Sequence, residues 1–145
     1  MLGVRTYSQP YIDRCRSKVD SDLSSYRNLI AAASNQPAGD KAPLDSAIEA
    51  FEGTFFNNMV LILDELFVHR LRTVEGKDGN PLNEVRVMHD SMLNHNGVMT
   101  ADKTIRLDPS KAVLKYRFGD EIRLNEADFR LISQAFFAEI KSKYL

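Results

Sequence analysis

Ile12, Cys15, Val19, Leu23, Tyr26, Ile30 and Ala33 recur at alternating steps of three and four, while Arg14, Arg16, Lys18, Asp20, Asp22, Ser25 and Arg27 take the other side. This spacing predicts an amphipathic surface helix. It should end near Asn35, because Asn35-Gln36-Pro37-Ala38-Gly39-Asp40 combines turn formers with a proline that cannot continue a helix. A second helix is expected from Pro43 or Leu44 to near Thr73, about 30 residues or about 45 Å at the standard rise. Its middle, Phe55 to His69, is apolar over most of its circumference and should be packed on several sides. At about 100° per residue, Asn58, Glu65 and Arg72 share one line, with Asn57 and Asp64 beside it and His69 one turn beyond Glu65. The simpler account of this polar stripe is the helix's wet face, with Glu65 and His69 as an i,i+4 pair; the other is a stripe that lines a binding cleft.

The third helix has clear limits. Asn80 suits the N-cap, Pro81 the first helical position, and Asn96-Gly97 the stop. Leu82, Val85, Met88, Met92 and Leu93 form its apolar face, and His89 lies within that face and so needs a partner. Residues 98–124 alternate instead. Thr104-Ile105-Arg106-Leu107 and Glu121-Ile122-Arg123-Leu124, with turns at Asp108-Pro109 and Gly119-Asp120, predict a small antiparallel strand pair; Ser110 to Tyr116 between them fits neither pattern. Asn125-Glu126-Ala127-Asp128 then caps a last helix with a core stripe of Phe129, Ile132, Phe136, Ile140 and Tyr144. The expected fold is mainly α: one domain over residues 1–145, a four-helix antiparallel bundle around a long central helix, with a short two-stranded β insert before the last helix.

Composition narrows the function classes. The 145 residues, 43% hydrophobic and 27% charged, suffice for a core without disulfide or metal staples. With 19 Lys plus Arg against 20 Asp plus Glu, the net charge of -1 lacks the basic footprint of a nucleic-acid binder, so any anion site must be local. The lone Cys15 excludes an intrachain disulfide and reads as a small buried apolar residue in a reducing compartment. Met1-Leu2-Gly3-Val4-Arg5 lacks the apolar core of a signal peptide and no apolar run could span a bilayer, which places the expectation in the cytoplasm, away from membranes.

Candidate chemistry gathers around Glu75-Gly76-Lys77-Asp78-Gly79-Asn80-Pro81. There His69, Arg70, Arg72, Lys77, Asn80, Asn83 and Arg86 could hold a small anion at the start of the third helix. Glu75, Asp78 and Glu84 are interleaved with these bases, which favours a self-neutralising clamp between the second and third helices. Gly76-x-x-Gly79 is too short for a phosphate loop, and no Gly-x-Ser-x-Gly elbow is present. A metal would have to use His69 and His89 with Glu65; the single Glu65-x-x-x-His69 spacing does not make a dimetal pattern, and His89 and His95 point apart, so neither metal nor cofactor is expected.

Arg86 and His89 are the catalytic candidates, since an arginine and a histidine can position and protonate a phosphodiester without metal. In class of chemistry the pair resembles helical ribonucleases of the HEPN type, which separate the two residues by four to six positions; here only Val87-Met88 intervene. The leading expectation is a non-enzymatic interaction or regulatory module that binds a protein partner. It should form a homodimer because Phe55, Phe56, Phe67, Phe136 and Phe137 exceed what one thin bundle covers. The alternative is a small phosphate-binding protein or metal-independent hydrolase at the junction of helices two and three.

Overall fold

The computed structural model describes residues 3–35, 37 and 39–145. Its helices are α1 (Gln9–Ser34), α2 (Ala42–Leu66), the single turn α3 (Arg72–Glu75), α4 (Pro81–Asn94) and α5 (Glu126–Tyr144). The fold is mainly helical, and α2 and α5 each pack against the other three long helices. Gln36 and Ala38 of the turn expected after α1, and Met1 and Leu2 of the N-terminal segment, lie outside the described residues. Among the described residues no helix is long and apolar enough to cross a membrane.

The helical stripes become the core. Ile12, Cys15, Val19, Leu23 and Tyr26 of α1 are buried, as are Phe129, Ile132, Phe136, Ile140 and Tyr144 of α5. The caps form as their residue types dictate. Asn80 Oδ1 accepts from the Leu82 and Asn83 amides, and Asn125 and Asp128 make a reciprocal capping box. On α4, Leu82, Val85 and Met88 are buried, but Leu93 stays 59% exposed because the helix ends at Asn94, before another element covers it.

Two expectations require correction. The second helix stops at Leu66 and not near Thr73, because tertiary contacts take over its backbone groups. The Tyr11 hydroxyl donates to the Leu66 carbonyl, and Val4 pairs with the following segment through Val4 N to His69 O (2.7 Å) and Leu71 N to Val4 O (2.9 Å). The two-stranded β insert is also absent among the described residues, where 98–124 form an irregular connection with one isolated antiparallel bridge, Val98 to Glu121. Thr104–Leu107 do not pair with 121–124. Arg106 N donates to Lys77 O at 2.9 Å, while Asn57 Nδ2 donates to Ile122 O (2.7 Å) and Asn57 Oδ1 accepts from Leu124 N (3.1 Å). Ile105, Leu107, Ile122 and Leu124 are buried. The period-two pattern thus records one-sided burial against helices, which needs no partner strand.

The phenylalanines from which pairing was expected are enclosed within one chain. Phe56, Phe67, Phe136 and Phe137 are at most 2% exposed, and Phe55 is half-buried against Tyr26 and Phe56. The apolar surface that remains on the α1–α2 pair is at Leu29 (54% exposed) and Phe51 (40%).

Candidate functional site

The break after α2 turns Arg70 inward. Its side chain is fully buried, and its guanidinium donates to Glu75 Oε1 (2.7 Å), Phe67 O (3.0 Å) and Leu82 O (3.3 Å) while lying over the Phe136 ring. Arg70 Nη2 also stands 2.8 Å from Asp64 Oδ1, a close ion contact without hydrogen-bond alignment, and that buried oxygen has no hydrogen bond. Glu75, at the end of α3 and 0% exposed, is the hub. Arg86 contacts both of its oxygens (Nη2 to Oε1 2.6 Å, Nε to Oε2 3.1 Å), and Asn83 Nδ2 donates to Oε2 at 2.7 Å. The Glu75 carbonyl accepts from Asn80 Nδ2 (2.8 Å) and from Lys143 Nζ on α5 (2.7 Å).

Two carboxylates and two guanidiniums thus compensate one another inside the protein. Burial pushes the Glu75 carboxyl up, but the Arg86 hydrogen bond, the charges of Arg70 and Arg86 and the Asn83 bond outweigh it, so its pKa falls below the ordinary carboxylate range. Burial also disfavours the Arg86 cation, yet its bond to Glu75 and the charges of Glu75 and Asp64 raise its pKa overall.

Of the candidate residues, Arg70, Asn80, Asn83 and Arg86 come together around Glu75. His69, Arg72 and Lys77 stay exposed and outside that network. The amides at the start of α4 are already engaged. Asn80 Oδ1 takes the Leu82 and Asn83 amides, and Asn83 Oδ1 takes the Gly79 amide at 2.9 Å. Gly79 is required here, since its φ is +88° and a Cβ would fall 2.5 Å from Arg106 O. His89 is 27% exposed, and its Nδ1 lies 3.8 Å from Asp64 Oδ2, a charge neighbour without a hydrogen bond. Among the described residues no three or more His, Cys, Asp or Glu side chains form a group that could hold a metal ion.

The open concavities lie elsewhere. A groove of about 590 Å³ runs between α2 (Thr54, Asn58, Leu61), the end of α4 at Met92 with Asn96 just beyond it, and the connection at residues 121–123. Asn57 pins that connection to α2 through its two bonds to Ile122 and Leu124. The Arg123 guanidinium lies against α2 at Gly53. No protein-family model, curated protein or solved structure matches this chain.

Sequence reasoning missed Glu75 as the hub, Asn57 as the pin and the α5 contributions of Lys143 and Tyr144, whose hydroxyl donates to Leu71 O at 2.9 Å. Glu84, expected to neutralise bases in the clamp between the second and third helices, has another role. It is buried and accepts from the Val113 and Leu114 amides (2.8 and 2.9 Å), fixing the segment that fitted neither helix nor strand. The only available signal was that Glu84 follows Leu82 and precedes Val85 on a helix packed on more than one side.

Proposed function

We propose that this protein is a non-enzymatic interaction module whose binding face is the groove between α2, the end of α4 and residues 121–123. The observation that carries the reading is the groove itself. Its volume of about 590 Å³ is in the range of ligand sites, and it combines an apolar floor with Thr54, Asn58 and Asn96, which make no side-chain hydrogen bonds within the described residues. Its two charges, Glu121 and Arg123, stand 3.9 Å apart at the surface, so the face suits an uncharged partner segment with amide or hydroxyl groups. The Glu75 cluster then serves as the lock that holds α2, α3, α4 and α5 in the register that shapes the groove. A fragment screen followed by amide chemical shifts tests this: amide-bearing compounds should perturb Thr54, Asn58, Met92 and Asn96, and Leu61→Arg should abolish the response. A screen whose hits all fall outside these residues would refute it.

One observation favours a second reading, a metal-independent hydrolase or anion site at Arg86 and His89. Asp64 Oδ2 stands 3.8 Å from His89 Nδ1, beyond hydrogen-bond distance but close enough for its charge to orient the ring, which leaves Nε2 for proton transfer near Arg86. Under that reading, a phosphodiester is cleaved, and His89→Gln removes turnover while leaving the melting temperature unchanged. Absence of turnover in the unaltered protein sinks it.

A further inference from the structure

The polar stripe of the second helix divides in the structure. Asp64 turns into the buried lock, whereas Glu65 and His69 stay exposed and line a separate cavity of about 440 Å³ with Val4, Tyr7, Tyr11 and Val68. The two residues make no ion pair with each other within the described residues, so the i,i+4 pair expected from their spacing does not form.

Three features give this cavity a sign. Glu65, exposed on the cavity wall, has no cationic side-chain partner among the described residues. The cavity sits at the C-terminal end of α2, where the helix dipole is negative, and the last turn carries no basic residue. The Tyr11 hydroxyl is engaged with the Leu66 carbonyl and the Cys15 thiol, whereas the Tyr7 hydroxyl makes no hydrogen bond within the described residues. Glu65, the α2 end and the Tyr7 hydroxyl thus offer acceptors, with the His69 imidazole beside them, around walls made by Val4, Leu66, Val68 and the stacked Tyr7 and Tyr11 rings (5.4 Å between centroids). Arg14 lies over the Tyr11 ring at 5.5 Å, so the same aromatic pair already accepts one cation from the chain itself.

We propose that the cavity between the N-terminal segment and the end of α2 binds a primary alkylammonium group, its charge at Glu65 and the Tyr7 hydroxyl and its alkyl chain against Val4, Leu66 and Val68. The same chemistry is offered by a free aliphatic amine and by the side chain of a lysine. An anion is disfavoured by Glu65 and the helix end, and a purely apolar ligand leaves Glu65 and the Tyr7 hydroxyl without partners.

The test is a titration of the isotope-labelled protein with hexylamine, with hexan-1-ol as the uncharged counterpart and Nα-acetyl-lysine methylamide as the lysine arm. Hexylamine should shift the amides of Val4, Tyr7, Tyr11 and residues 65–69, and the alcohol should bind about tenfold more weakly or worse, the loss expected for one charge-assisted hydrogen bond. Glu65→Gln should weaken hexylamine by a similar factor without moving the melting temperature, because the Glu65 side chain is exposed and has no partner among the described residues. Binding of the lysine compound as well as hexylamine assigns a protein side chain as a competent source; binding of hexylamine alone assigns a free amine. Equal binding of amine and alcohol, shifts confined to other residues, or indifference to Glu65→Gln overturns the proposal.

Discussion

Replacing Arg70 with methionine removes the guanidinium that stands between Asp64 and Glu75 while keeping most of the side-chain volume. Glu75 retains Arg86 and Asn83, so the loss falls mainly on Asp64, which is 4% exposed at its side chain and keeps His89 at 3.8 Å and the more distant charge of Arg86. The carbonyls of Phe67 and Leu82 also lose their donor. Breaking one side of a buried pair costs about 3–5 kcal/mol, a large part of a total stability of about 5–15 kcal/mol. At about 2–4 °C per kcal/mol for a chain near this size, the melting temperature should drop by about 6–20 °C. Urea denaturation followed by circular dichroism reads the free energy directly. The double variant Arg70→Met/Asp64→Leu should recover at least half of the loss, because it removes the charge left alone. A loss under about 1 kcal/mol for Arg70→Met, or a double variant that costs the sum of the two singles, would refute the account of the cluster as a mutually dependent lock.

Four further predictions concern titration, backbone and surface. Glu75 titrates below its ordinary 4.5, so the stability it confers is present above that pH and is lost as pH falls through its lowered value in the fold. Glu84 is the opposite case: burial outweighs the Leu114 and Val113 amide bonds and raises its pKa, so its contribution is full below 4.5 and is lost as pH rises through the raised value. Carboxyl-carbon NMR titration should place the two midpoints on opposite sides of 4.5, and coincident midpoints would contradict this. Gly79→Ala should cost at least about 1 kcal/mol more than Gly97→Ala, since both have positive φ but only Gly79 has backbone 2.5 Å from the added carbon; urea midpoints compare them. Asn57→Ala should cost about 1–3 kcal/mol and speed amide exchange at Ile122 and Leu124, and unchanged exchange would show that Asn57 is not the pin. The homodimer proposal now rests on Leu29 and Phe51: light scattering should give a dimer that Phe51→Asp dissociates, and a monomer at micromolar concentration ends it.

The legible parts of this fold are those where local chemistry decides. Asn80 and Pro81 start α4, and Asn125 with Asp128 starts α5, because the capping bonds are made within a few residues of the cap itself. The long second helix was misread for the opposite reason. Residues 67–71 have helical spacing, but Val4 and Tyr11, far away in sequence, take the backbone groups that would have continued it. The β insert failed because alternation reports which side faces the core and not what the backbone pairs with, and Asn57, 65 residues from Ile122, supplies that pairing with a side chain. Within the candidate site, composition marked Arg70, Asn80, Asn83 and Arg86 as partners. It could not mark Glu75 as their centre, since its position depends on the turn that the α2 break creates.

The stitching of residues 69–76 bears on how the chain can be divided. Val4 holds the His69 carbonyl, Lys143 holds the Glu75 carbonyl, and Tyr144 joins Leu71 with its hydroxyl and the Tyr7 amide with its carbonyl. Neither the α1–α2 pair nor the α4–α5 pair carries, by itself, all the partners that Arg70 and Glu75 require. The buried charges must stay hydrated until segments from both extremes of the described chain have docked, so the lock is among the last parts to close and opens only when much of the molecule opens with it. A wrongly assembled core would strand a carboxylate or a guanidinium without water, and this makes the polar centre a check on correct assembly as well as a source of stability.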